Sequence, residues 1–195
     1  MTGMPADVID HLAGIAPGSH LAAIRDGRMQ ARDNAQNSFL ALFAPDDTTA
    51  MALDERFAVA AFGAALHGDA ATAAFYAGRL PTDLAGAVAA EAARGAAHGP
   101  YGSYPSPALA AENAAGPIFM ADHAMLGTRL SAAFDHAHML VFHLRDADAP
   151  ALGKLLDAGW SSTGIVTLSQ LVAFLAFQLR VVAGLRVLAA TPRGN

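Results

Sequence analysis

The chain is 195 residues long, 54% hydrophobic by residue type and 15% charged, which excludes a disordered chain and suffices for a sizeable core. It contains no Cys, so disulfides, thiolate metal sites and thiol nucleophiles are excluded. Twelve Lys and Arg against 17 Asp and Glu leave a net charge of −5 without any basic cluster, which argues against nucleic acid as a partner.

Met1 to His11 holds no basic stretch followed by an apolar run, so no secretory signal is expected. Roughly a quarter of the residues are Ala, the best helix former, and alternating β-branched runs are absent. The predicted fold class is all-α. A first helix is expected from near Asp7 to just before Pro17-Gly18, and a second from His20, capped by Ser19, to about Phe43. Pro45-Asp46-Asp47 ends it. A third starts near Asp54, with Phe57, Ala58, Ala61, Phe62, Ala65 and Leu66 on one face. His67-Gly68-Asp69 breaks it, Gly68 taking the left-handed turn and Asp69 capping a new helix to about Leu80. Beyond Pro81-Thr82-Asp83 another Ala-rich helix fades near Gly95.

From His98 to Pro117 the density of Gly and Pro leaves no regular element, and Tyr101 and Tyr104 sit among the breakers. A loop of about 20 residues in a compact domain is unusual and tends to be functional. Helices follow from about Leu126 to Phe142, from about Asp148 to Ala158, and from Ser161 or Ser162 to before Pro192; the tail from Thr191 to Asn195 is expected to be loose. Ile165 to Leu188 is very apolar, but Gln170, Gln178, Arg180 and Arg186 interrupt it, and a charge at a bilayer centre costs roughly 2.5–3.5 kcal/mol. It reads as a buried helix of a cytoplasmic protein, with no membrane partner.

Two stretches carry a family signature together. The first holds Glu55-Arg56-Phe57-Ala58-Val59-Ala60-Ala61, then His67-Gly68-Asp69 and Tyr76-Ala77-Gly78-Arg79-Leu80. The second holds Asp135-His136-Ala137-His138, then Leu155-Leu156-Asp157-Ala158-Gly159-Trp160, then Gln170-Leu171-Val172-Ala173-Phe174 and Arg180-Val181-Val182-Ala183-Gly184-Leu185. In this order and spacing the chain resembles the peroxidase-related branch of the AhpD-like, or carboxymuconolactone decarboxylase, family, over most of residues 53–80 and 130–188. The resemblance implies a single AhpD-like helical domain over 1–195: an N-terminal helical extension (1–50), a first helical half (53–97), the Gly/Pro-rich loop (98–117) and a second half (118–190). It also implies a homo-oligomer, as dimer, trimer or hexamer, and no cofactor.

The family's chemistry does not transfer. Reactive AhpD-like enzymes use the two thiols of Cys-x-x-Cys, activated through a Glu and a His. Aligning His67-Gly68 with the family's Asn-Gly puts Asp69 and Thr72 at the thiol positions, Phe57 at the relay Glu and Tyr76 at the relay His. Counting from Glu55 instead puts His67 and Ala70 at the thiols. Either register lacks the thiolate that attacks a peroxide, so thiol peroxidase activity is excluded. The decarboxylase side of the family works without a cofactor, by His and Glu proton transfer.

Candidate residues each have a plain reading beside the functional one. His67 is a general base oriented by Asp69, or a turn histidine beside an N-cap. Glu55 is a site carboxylate, or it complements a helix dipole and joins an interhelical ion pair. His136 and His138 lie about 200° apart around a helix, and His136 and His143 about 10 Å apart along it, so no metal site is expected; one of these histidines lining a pocket with Asp135 is the preferred alternative. Arg180 is expected to pair with Glu55 or Asp135, or to hold a ligand anion. Tyr101 and Tyr104 are candidate covers for a pocket or a neighbouring subunit, and Trp160 a core or interface residue.

Three functions follow as expectations. The first is a non-thiol AhpD-like protein that binds a small apolar or anionic molecule, or structurally supports a Cys-bearing AhpD-like partner. The second is a cofactor-free decarboxylase or isomerase using His67 or His136 with Asp69, Asp135 or Glu55. The third is membership of a peroxidase system by descent alone. A pocket with a histidine hydrogen-bonded to a carboxylate favours the second; an apolar groove favours the first.

Overall fold

A computed structural model describes residues 3–191 and is all-α; among these residues there is no strand, only a lone antiparallel bridge between Gly102 and Ala114. Residues 192–195, most of the tail expected to be loose, lie outside the described residues. Two compact units divide the chain: Met1–Asp46 with Ala173–Asn195, and Asp47–Val172.

The first unit contains α1 (Val8–Ala13), α2 (His20–Asp26) and α3 (Met29–Phe43). Asp7 caps α1 by accepting from the Asp10 amide at 2.8 Å, and Ser19 caps α2 by accepting from Ala22 at 3.2 Å. The helix expected from His20 to Phe43 is two helices: Gly27 ends α2, and Arg28 adopts non-helical torsions before α3 begins. Gly is the weakest helix former after Pro, and the apolar period across this segment is only partly kept. Asp7 accepts from Arg25 at 2.8 Å and from Arg32 at 2.7 Å, drawing α1, α2 and α3 together. Beneath them Phe39 and Phe43 pack with ring centroids 5.2 Å apart.

The second unit is built around α4 (Leu53–Leu66), which packs against α5 (Ala70–Ala77), α6 (Thr82–Arg94) and α7 (His123–Phe142). Every residue from Arg56 to Ala64 is buried, so α4 is covered on all sides and not on the one predicted face. Its many Ala residues let neighbouring helices approach from every direction. Phe62 stacks on Phe134 of α7 at 4.2 Å. Gly127, at φ 72°, interrupts the start of α7, so regular helix begins just after it. Then come α8 (Ala149–Asp157) and α9 (Ser162–Ala190). Gly159, at φ 89°, turns the chain into Trp160, and Ser161 caps α9 by accepting from Gly164 at 3.1 Å.

The 98–117 loop is more ordered than its breakers suggest. A 3₁₀ turn spans Pro107–Glu112, with Pro at its start where no amide is needed, and the Gly102–Ala114 bridge closes the segment. The helix α9 is long and apolar enough to cross a membrane, with mean hydropathy 1.9 over its most apolar window. Only 39% of that window is buried, which corrects the expectation of a buried helix. Leu168, Leu171, Leu175 and Val182 are buried, whereas Val166, Phe177 and Val187 face outward.

A candidate ligand cavity between α7 and α8

In the second unit a cavity of about 520 Å³ opens between α7, α8 and the segment leading into α7. On α7, Ala132, Asp135, His136 and Met139 recur at helical spacing and therefore turn to one side, and His143 follows at the helix's C-terminal end. Phe119 and Met120 close a second wall, and Ala151, Lys154 and Leu155 of α8 a third. Most of this surface is apolar.

His136 is the polar residue at its centre. It is only 6% exposed and makes no hydrogen bond with any described residue. Burial pushes its imidazole below the ordinary histidine range, because a charged ring there would lose its hydration. Beside it, Asp135 accepts from the Ala121 amide through Oδ1 at 2.7 Å, leaving Oδ2 open. Burial raises the Asp135 carboxyl; the Ala121 hydrogen bond and the charges of His123 and Lys154 oppose this, and Glu91 adds to it.

The other two histidines are committed. His138 donates from Nε2 to the Gly95 carbonyl at 3.0 Å and stacks on Phe119 at 4.8 Å. Burial lowers its pKa, with the Gly95 hydrogen bond working against the shift and nearby His143 adding to it. His143 sets Nδ1 3.1 Å from Asp146 Oδ2 and Nε2 3.1 Å from the Pro117 carbonyl, so both ring nitrogens face an acceptor. Asp146 also accepts from the Ser103 amide at 3.1 Å, which ties the Gly/Pro-rich loop to the cavity wall. Lys154 is exposed and forms no ion pair among the described residues.

The residues expected from the first family stretch gather elsewhere. His67 closes α4, Gly68 takes φ 78°, and Asp69 Oδ1 accepts from the Thr72 amide at 2.9 Å. Phe57, Thr72 and Tyr76 are buried in packed core, with the Phe57 and Tyr76 rings 6.5 Å apart. None of these residues lines the α7–α8 cavity, and neither does Glu55. Glu55 accepts from the Ala52 amide at 2.9 Å and pairs with Arg129 at 2.6 Å. The expected pairing of Arg180 with Glu55 or Asp135 is therefore corrected. Arg180 is exposed and donates to the Ala176 carbonyl one turn back at 2.7 Å, as its long side chain allows on an outward face.

Tyr101 does not line the cavity but packs behind it, its ring 5.1 Å from that of His143. Tyr104 lies under the Arg145 guanidinium at 3.9 Å. Trp160 is buried, donates to the Arg129 carbonyl at 2.9 Å and carries the Arg129 guanidinium on its ring face at 3.9 Å. Reading the sequence alone overlooked Arg129, Phe119 and Lys154. The i, i+4, i+7, i+11 stripe through Ala132, His136, Met139 and His143 was the one available signal for the cavity. Among the described residues no group of three or more His, Asp or Glu is disposed to hold a metal ion.

Comparison with protein-family models, curated proteins and solved structures gives no match for this chain.

Proposed function

We propose that this protein binds a small, mainly apolar molecule in the α7–α8 cavity, as a non-thiol relative of the AhpD-like proteins. The observation that carries the reading is His136: an imidazole that is nine-tenths buried, unpartnered, and set in an apolar cavity. The ring nitrogens of His136 keep solvent access, so a hydrogen-bond donor on a ligand in the cavity can reach them. The volume of about 520 Å³ lies in the range of small-molecule sites. Association with further copies of the chain, or with a Cys-bearing AhpD-like partner, belongs to the same proposal and is supported by the apolar side chains that α9 leaves exposed.

A second reading is a cofactor-free decarboxylase or isomerase, which the carboxyl-imidazole neighbours Asp135 and His136 favour. The histidine bonded to a carboxylate, His143, has its other nitrogen occupied by Pro117, while the histidine with open nitrogens, His136, has no carboxylate orienting it. That division of labour supports binding over proton transfer.

The test is a fragment screen read by methyl NMR, following Met120 and Met139. Binding fragments shift both methyls in the native chain and shift them less in His136→Leu. A diverse screen that moves neither methyl overturns the binding reading. Substrate turnover abolished in both His136→Gln and Asp135→Asn would establish the catalytic one.

A further inference from the structure

The polar groups around the cavity are biased in sign. Three carboxylates line it, Asp135, Asp146 and Asp148, against a single ammonium, Lys154. Asp146 and Asp148 already accept amide hydrogens, from Ser103 at 3.1 Å and Ala151 at 2.8 Å, and Asp146 also faces His143 Nδ1 at 3.1 Å. An anionic ligand would meet three like charges. Asp135 presents an open Oδ2, and beside it His136 presents a ring nitrogen lone pair with no donor. Neither has a donor among the described residues, and both belong to side chains that line the cavity. Ile118 and Met120, 88% and 68% exposed, extend the apolar surface to the mouth.

We propose that the ligand is an organic monocation, an amine on a compact apolar body, with its ammonium between Asp135 Oδ2 and His136 and its body against Phe119, Met139 and Leu155. This rests on the binding reading above and specifies its ligand class. An ammonium has the right inventory, three donors and no acceptor, for a carboxylate oxygen and a neutral imidazole. A charge-assisted bond to a half-buried carboxylate is about twice as strong as a neutral one. An alcohol of the same shape offers a single donor and no charge.

The experiment is calorimetric titration of the full chain with three probes that share a phenylethyl body: 2-phenylethylamine, 2-phenylethanol and 3-phenylpropanoate. The amine is expected to bind at least tenfold more tightly than the alcohol, and the carboxylate most weakly. Asp135→Asn should bring the amine down to the level of the alcohol while alcohol binding persists. Lys154→Gln, an exposed change, should tighten amine binding severalfold by removing a repelling charge. If the alcohol or the carboxylate binds best, the cation inference fails and the binding reading stands. If none of the three binds, the cation inference fails, and the binding reading is decided separately by the fragment screen. Should Asp135→Asn not fold, Lys154→Gln decides, and unchanged amine affinity there overturns the inference.

Discussion

Arg129 Nε meets Glu55 Oε1 at 2.6 Å, joining residues 74 positions apart in the chain. The same guanidinium donates to the carbonyls of Gly159 and Ala50 at 2.7 and 2.8 Å and lies on the face of Trp160. One side chain thus fastens the start of α4, the body of α7 and the turn between α8 and α9. Arg129→Met is expected to destabilise the second unit by about 2–4 kcal/mol, since it leaves Glu55 without its cation and two carbonyls without their donor. Trp160 is the only Trp and sits inside this cluster, so its emission during urea unfolding reports the loss directly. An unchanged midpoint would deny Arg129 this role.

Stability should also depend on pH through two histidines. Burial lowers the folded-state pKa of both His136 and His138. The unfolded chain, with histidines near pH 6.5, therefore takes up protons first as the pH falls. Full stability is present above about pH 6.5 and is lost progressively below it. His136→Gln should flatten the loss between pH 7 and 5 in thermal melts. A variant profile parallel to the native one would show that His136 does not contribute.

The first unit carries the opposite titration in acid. Burial tends to raise the Asp7 carboxyl, but the Asp10 amide together with Arg32 and Arg25 outweighs it and holds the group below its ordinary value. The sign follows directly: this stability is present above about pH 3.8 and disappears as the pH falls through the lowered folded value. Asp7→Asn should cost about 1–3 kcal/mol near neutral pH and weaken the acid dependence, as followed by far-UV circular dichroism. Equal acid midpoints for the two proteins would contradict this.

Gly116 lies against Tyr101, and a Cβ there would sit 2.2 Å from the ring. Gly116→Ala must therefore displace Tyr101 from its packing on His143. A loss of about 1–3 kcal/mol is expected, with a shift of the His143 ring resonances. Retained resonances would mean that the loop yields instead of the tyrosine.

Peroxide turnover offers a chemical check. With no Cys in the chain, adding a dithiol reductant should produce no turnover above that of the buffer. Reductant-dependent turnover by homogeneous protein would require a redox group other than a thiol.

Local physics made much of this protein legible. The caps Ser19 and Asp69, the helix starts near Asp7 and Asp148, the breaks at Gly68 and Gly159, and the limits of α6 and α8 all follow from backbone needs met within a few residues. The division of the His20 to Phe43 segment was not legible, because its apolar spacing blurs where Gly27 interrupts it. Nor was the exposed side of α9, since a helix apolar nearly all round does not say which face the rest of the chain will cover.

The candidate site divides along the same line. From the sequence alone come the all-α class, the absence of any thiol, and the placement of histidines along one helix, because each depends on residue identity or on the 3.6-residue period. Only the tertiary structure decided that Asp69 and Thr72 serve a helix cap, that Glu55 belongs to Arg129, and that His136 alone keeps its nitrogens open inside a cavity. Those outcomes depend on partners such as Gly95, Pro117 and Ala121, brought to α7 by packing across long stretches of chain, and no local spacing encodes which of three neighbouring histidines is left without one.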